Sequence, residues 1–261
     1  MFTFAIDKER LHRHFKKDPL LFAYHIGDLD DRYFSACQFA CIYNETAHIL
    51  DSVLIYSGLA TPTVLAFGMT DGFGDLLDEL MPLLPLKFYS HYHLQYREKF
   101  LQAYQETDLG KHLKMRLGAF KPIAARAESS RIIRLSLADA ERVTAFYRDA
   151  YPDGYFEPHM LETGKFVGLM LDDKLVAVAG VHIYSPKYQI AVLGAIATLP
   201  VSRGNGYATL LTSYLCGELK REKLMICLNV KADNTPAIKS YQRLGFETVH
   251  EYQEALFELR G

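Results

Sequence analysis

The sequence predicts an α/β (α+β) fold, with a mixed, mainly antiparallel sheet flanked by helices and a second, similar domain in the first half. Three observations carry that prediction. Strand-like apolar runs alternate with stretches of helical periodicity along the chain. In the second half, successive strand-like runs are joined by Asp172-Asp173-Lys174 and Ser185-Pro186-Lys187, connections short enough to force an antiparallel meander. The same element order recurs more weakly in the first half, and 261 residues suit about two domains of roughly 150 residues each.

In the first half, helical stretches fall at 7–17 and 19–30, and strand-like runs at 34–43, 47–56 and 64–67. The glycine turn Asp71-Gly72-Phe73-Gly74 precedes a helix over 75–80. A further strand and helix follow, then Met115-Arg116-Leu117-Gly118. That tetrapeptide echoes Gln242-Arg243-Leu244-Gly245 and suggests an internal duplication in which Lys114 matches Tyr241. The polar, aperiodic stretch 122–130 supplies the boundary, giving domains of 1–125 and 126–261.

The second half opens with a strand at 131–135. Ser136, with Asp139 three residues on, is a capping-box variant that starts a helix bearing Val143, Phe146, Tyr147 and Ala150 on one stripe. Tyr151-Pro152-Asp153-Gly154 ends it, and a short helical piece follows Pro158. Strands are expected at 166–171, 175–184 and 188–198. Arg203-Gly204-Asn205-Gly206 then opens a long helix carrying Tyr207, Leu211, Tyr214 and Leu215. A strand at 224–230 leads to a helix with Pro236 at its first position and Gly245 as its C′ residue. A final strand runs over 246–259.

The composition, 49% hydrophobic, 23% charged and 13% aromatic, supports a sizeable core, and a formal net charge of −2 excludes a general polyanion binder such as a nucleic-acid protein. It leaves room for a local anion site. Cys37, Cys41, Cys216 and Cys227 form no C-x-x-C pair, so a disulfide or zinc framework is not expected. There is no run of 18 apolar residues and no signal-peptide layout at the start. The expectation is a soluble cytoplasmic protein with no membrane partner.

The most informative residues are Arg203-Gly204-Asn205-Gly206-Tyr207-Ala208, between a strand and a long helix. Glycines let the backbone curl so that successive N–H groups converge, and the helix behind adds unpaired donors and a positive dipole end. Such a turn suits a pyrophosphate. Neither a P-loop nor a full G-x-G-x-x-G pattern is present. With Asn234-Thr235-Pro236-Ala237 and Tyr241-Gln242-Arg243-Leu244-Gly245-Phe246 following in register, the pattern resembles the GNAT superfamily of N-acyltransferases, and 131–261 follows that fold's element order.

The resemblance implies acyl-CoA, ordinarily acetyl-CoA, as donor cosubstrate, and no metal. Its pyrophosphate would be held at Arg203, Gly204, Asn205, Gly206, Tyr207, Ala208 and Thr209. The pantetheine arm would pair with the backbone of Ile196, Ala197 and Thr198, and Asn234 would contact that arm or cap the helix. The first-half turn, with Asp71 and Asp75 beside it, would repel a pyrophosphate. That half therefore reads as a degenerate module.

Acyl transfer to an amine needs a neutral amine, stabilisation of an oxyanion, and protonation of the departing thiolate. The resemblance implies Tyr241 as proton donor; a core tyrosine on the 237–241–244 stripe is the other reading. The oxyanion would meet a backbone N–H within 196–198. The base is open, because the strand 188–198 contains no Asp or Glu. His182, on the mixed face of its strand, competes with Glu157 and Asp153 in the aromatic loop 151–157, and each also reads as an ordinary structural residue. The expected reaction is N-acetyl (or other acyl) transfer from CoA to a small-molecule or peptide amine in a ternary complex, by a protein that could be a homodimer. A non-catalytic CoA-binding or sensory module is the alternative. Other features carry less: His91 and His93 lack a third metal ligand, His12 and His14 read as a solvated helix face, and Asn44-Glu45-Thr46 is a sequon without use in the cytoplasm.

Overall fold

The computed structural model describes residues 1–123, 130–152 and 154–261. The expected boundary at 125–126 and the candidate base Asp153 lie outside the described residues. The chain divides into two compact units. Unit 1 comprises Met1–Lys114, Val230–Asn234 and Val249–Gly261; unit 2 comprises Met115–Asn229 and Thr235–Thr248.

The first half runs β1 (Thr3–Ala5), α1 (Lys8–Phe15), α2 (Ala23–Gly27), α3 (Asp31–Phe34), β2 (Cys37–Tyr43), β3 (Ile49–Tyr56), β4 (Thr63–Ala66), α4 (Phe73–Leu80), β5 (Lys87–Tyr92), α5 (Arg97–Leu101) and β6 (Tyr104–Leu117). The second runs β7 (Ser130–Leu135), α6 (Ala140–Ala150), β8 (Phe166–Leu171), β9 (Lys174–Ser185), β10 (Ile190–Thr198), α7 (Tyr207–Arg221), β11 (Met225–Lys231), α8 (Thr235–Leu244) and β12 (Phe246–Leu259). Among the described residues no helix is long and apolar enough to cross a membrane.

In unit 1 the strand order is β1-β2-β3-β4-β5-β12-β6. β4 and β5 run parallel, and β12 runs antiparallel to β5, with Gln253 opposite Tyr92 and Phe257 opposite Phe88. The core fills with aromatic rings: Phe88, Tyr92, Phe100, Tyr104 and Phe257 are essentially inaccessible, and Phe100 stacks on Phe257 at 4.8 Å. Burying such rings supplies about 1.5–3 kcal/mol each.

Three expectations for this half are corrected. Residues 34–36 are not strand, because Asp30 caps α3, its carboxylate accepting from the Arg32 N–H at 3.3 Å. Met115-Arg116-Leu117 lies in the 14-residue strand β6, whereas Gln242-Arg243-Leu244 closes a helix. The tetrapeptide echo thus joins unlike elements, and Lys114 is no counterpart of Tyr241. His14 is buried rather than solvated, since it shares the i, i+3, i+4 stripe of Leu11 and Phe15, and its Nδ1 meets the Ile49 carbonyl at 3.1 Å.

Unit 2 is the expected meander. Its strands run β7-β8-β9-β10-β11, antiparallel except for the β10–β11 pair. The Ser136–Asp139 cap forms as expected, the Asp139 carboxylate accepting the Ser136 N–H at 2.9 Å. The crossover helix α7 buries Leu211, Leu215 and Leu219, and α8 ends at Gly245, whose φ of 97° only glycine adopts readily. A Cβ there would sit 2.1 Å from the Ala119 carbonyl oxygen.

Candidate active site

The site begins as a flaw in the sheet of unit 2. β10 pairs with β11 only from Ile190 to Leu193; beyond Leu193–Leu228 that ladder stops. On its other side, β10 breaks register with β9 between Gly194–Gly180 and Ala197–Val178, so one extra residue bulges out. Ala195 carries the bulge at φ 52°, a left-handed conformation costly for alanine, and its carbonyl accepts the hydroxyl of Tyr147 from α6. The backbone of 194–198 thus has a side released from strand pairing at Ile196, Ala197 and Thr198.

Gly194 explains how His182 fits. A Cβ on Gly194 would lie 2.3 Å from the His182 ring, so the imidazole occupies the space of the missing side chain. Burial pushes His182 down to about 4, keeping it neutral. The loop after α6 closes over this region: Tyr155 meets the His182 ring edge-on at 5.8 Å, and Phe156 stacks on Tyr147 at 4.7 Å. Glu157 follows, paired with His159 at 3.2 Å at the start of a short 3-10 turn.

In the glycine turn, Gly204 and Gly206 take left-handed φ of 82° and 78°, and a Cβ on either would meet no protein atom within 4 Å. The glycines are therefore required by backbone conformation and not by close packing. The first α7 hydrogen bond runs from the Leu210 N–H to the Gly206 carbonyl at 2.9 Å, so the N–H groups of Tyr207, Ala208 and Thr209 precede the ladder. Side chains brace the turn from behind. Arg203 donates to the Thr198 and Ala150 carbonyls at 3.3 and 3.0 Å, and Asn205 donates to the Ser202 and Arg203 carbonyls at 3.1 and 3.3 Å.

Tyr241 projects from α8 and packs edge-on against Phe246 at 5.8 Å. Burial, with Cys216 and Tyr151 nearby, pushes its phenol above the usual range, so it stays protonated at neutral pH. Asn234 is exposed immediately before α8, its N–H donating to the Lys231 carbonyl at 3.0 Å.

Sequence reasoning missed Tyr147, assigned only to an apolar stripe, and the bulge it holds. A glycine inside the apolar run of β10 was the one available signal. In unit 1 the corresponding turn differs: Gly72 has φ −72°, and Phe73 is buried in the core. The loop before α4 already holds an anion of its own. The Asp51 carboxylate accepts the N–H groups of Met69 and Thr70 at 2.6 and 3.1 Å, and the Thr70 hydroxyl. Asp71 and Asp75 are both exposed there. Among the described residues no group of three or more His, Cys, Asp or Glu side chains could hold a metal ion.

Residues 132–246 match the sequence model of the Acetyltransferase (GNAT) family. A comparison with curated proteins finds no matching sequence. Among solved structures, a Drosophila protein superposes with a TM-score of 0.77 at 16% identity, covering 99% of this chain and 98% of that one. A GNAT-family acetyltransferase from Colwellia psychrerythraea gives 0.57 at 13% identity, with both chains fully covered. A tandem GNAT protein from the clavulanic acid biosynthesis pathway gives 0.60 at 13% identity, covering 98% of this chain and 97% of its own. These likenesses establish the fold over both halves. Residues 132–246 thus form a domain of the GNAT acetyltransferase family, and the chain as a whole takes a two-domain GNAT fold.

Proposed function

We propose that unit 2 transfers an acetyl or other acyl group from acyl-CoA to the amine of a small molecule or peptide, by direct attack in a ternary complex. The observation that carries this reading is the bulged, one-sided strand end at 194–198 leading into two left-handed glycines at the N-terminus of α7. Acyl-CoA would supply an activated acyl group as a thioester. The residues of the chain would do the rest. Backbone N–H groups from Gly204 to Thr209 hold the pyrophosphate, with Arg203 and Asn205 fixing the turn. Ile196, Ala197 and Thr198 pair with the pantetheine arm, and an N–H there stabilises the developing oxyanion.

Tyr241 Oη gives its proton to the departing thiolate. Its raised pKa keeps that proton available throughout the neutral range. His182 stays neutral, so it accepts a proton only weakly and chiefly walls the cleft beside the bulge. Glu157 sits in the loop that Tyr155 and Phe156 fasten to His182 and Tyr147, and its carboxylate attracts the ammonium form of the acceptor and takes, through water, the proton the amine loses as it attacks the thioester carbonyl. The first half acts as a degenerate module, with Asp51 taking the N–H groups of Met69 and Thr70 just before its turn and Asp71 and Asp75 beside it. The cytoplasm, where acyl-CoA and reduced cysteines coexist, is the fitting location.

The lack of an acid in β10 favours one competing reading, a CoA-binding module without turnover. Thiol release from acetyl-CoA across a broad amine panel separates the two. Turnover that falls about 100-fold or more in Tyr241→Phe, with CoA affinity retained, supports the assignment. An unchanged kcat removes Tyr241 from the mechanism. CoA binding with no turnover on any amine replaces catalysis with sensing.

A further inference from the structure

Unit 1 carries a half-open surface cleft of about 150 Å³ between α1 and the loop joining β2 to β3. Arg10 and Arg13 line it from α1 and Lys17 from the turn just beyond that helix, with His14 also in the lining, and Thr46 and His48 face them from the loop. No carboxylate lines it. We propose that this pocket binds a phosphomonoester group, a function unconnected with any residue assigned to acyl transfer.

The argument rests on charge that the protein leaves uncompensated. Arg10 and Arg13 lie one turn apart on α1 and Lys17 follows in the turn after it, so three like charges surround one cleft and repel. In a chain of net charge −2 such clustering is not a by-product of composition. The nearby acids are engaged elsewhere. Asp7 pairs with Arg10 at 3.3 Å while capping α1. Asp18 pairs with His250 at 3.0 Å and accepts the Leu21 N–H. Asp51 feels Lys17, but Met69 and Thr70 hold its oxygens. Glu45 neighbours Thr46 in sequence without lining the cavity. Arg13 has no hydrogen-bond or ion-pair partner among the described residues, and Lys17 Nζ meets only the Ile49 carbonyl at 3.2 Å and His14 Nδ1 at 3.5 Å.

With Arg10 matched by Asp7, two cations remain. A phosphomonoester carries about −1.5 to −2 charges at neutral pH, and a guanidinium fork fits its oxygens two at a time. The volume is well below the roughly 300–1,000 Å³ of pockets for drug-sized ligands, so it suits a phosphate and little more. The wall opposite α1 is already formed. Asn44 Oδ1 accepts from the Thr46 N–H, the Thr46 hydroxyl and the His48 N–H at 3.1, 2.9 and 2.9 Å, which fixes the loop before any ligand arrives. The phosphate could belong to a soluble metabolite or to a lipid headgroup.

The test is an amide NMR titration of the full chain, free of CoA, with inorganic phosphate, glucose 6-phosphate, glucose, and phosphatidylcholine vesicles with or without phosphatidic acid. Glucose 6-phosphate should move the amides of 10–17 and 44–49 while glucose does not, and Arg13→Ala should weaken binding about tenfold. Arg13 is exposed, so its removal leaves the fold intact. A response confined to phosphatidic acid vesicles, with the same Arg13→Ala loss, assigns the phosphate to a lipid. No shift at these amides with any phosphate carrier, or equal affinity in wild type and Arg13→Ala, overturns the proposal.

Discussion

Placing a methyl group on Gly194 tests whether His182 and the bulge of β10 are mechanically one object. The new Cβ would lie 2.3 Å from His182 Cδ2 and Nε2 and 2.4 Å from Cε1. Ordinary carbon contacts begin near ~3.5 Å, so the ring must retreat by more than about 1 Å. Overpacking of this kind costs about 1–3 kcal/mol, offset by the ~0.5–1 kcal/mol gained on removing a strand glycine. The net loss is therefore about 0–2.5 kcal/mol. In a His182→Ala background the obstructing ring is gone, and Gly194→Ala should become neutral or mildly stabilising. Urea unfolding of wild type, both single variants and the double variant measures this as a coupling of about 1–3 kcal/mol. If the two changes add within about 0.5 kcal/mol, the imidazole does not occupy the glycine's space and the reasoning fails.

Two further outcomes follow from the same geometry. Asp28 is buried, and burial raises its carboxyl to about 8. Between pH ~4 and that value the folded chain keeps a proton that the unfolded chain has lost, so stability falls as pH rises through the window. Asp28→Asn should remove that slope and be a few kcal/mol more stable at pH 8; an identical slope in both proteins would show that Asp28 titrates normally. Gly206→Ala should cost about 1–2 kcal/mol from its φ of 78° without steric clash, and should reduce the rise in Tm on adding acyl-CoA. In wild type, ligand at about 100 times its Kd adds ~2.7 kcal/mol; the same increment in the variant would dismiss the turn as the anion site.

Much of unit 2 was legible because several local signals agreed along the chain. Ser136 and Asp139 marked one helix start, Pro236 and Gly245 bracketed another, and the short connections left the meander no other topology. The glycine turn before α7 was legible because left-handed backbone demands glycine, and glycine is visible. The bulge was not, since the residue at positive φ is Ala195, whose identity carries no conformational signal. His14 escaped because its basic neighbours His12, Arg13, Lys16 and Lys17 masked a stripe shared with Leu11 and Phe15. The tetrapeptide echo misled because four similar residues, without a shared period, do not determine whether a segment is strand or helix. Tyr147 had a periodicity that fixed its burial, but nothing local could say that its hydroxyl reaches Ala195 across 48 positions of sequence.

The pairing of β12 with β5 has a consequence for how the chain comes into being. Residues 1–114 of unit 1 are synthesised before unit 2, yet its sheet closes only when 249–261 emerge, after all of unit 2. Until then β5 offers an open edge, and Phe88 and Tyr92 lack the Phe257 ring that packs on both. The nascent protein therefore cannot finish its two units in the order in which they are made, and unit 2 can mature while unit 1 still waits. Two genes cut between the halves would not reproduce this arrangement: the upstream product would lack the strand that seals it.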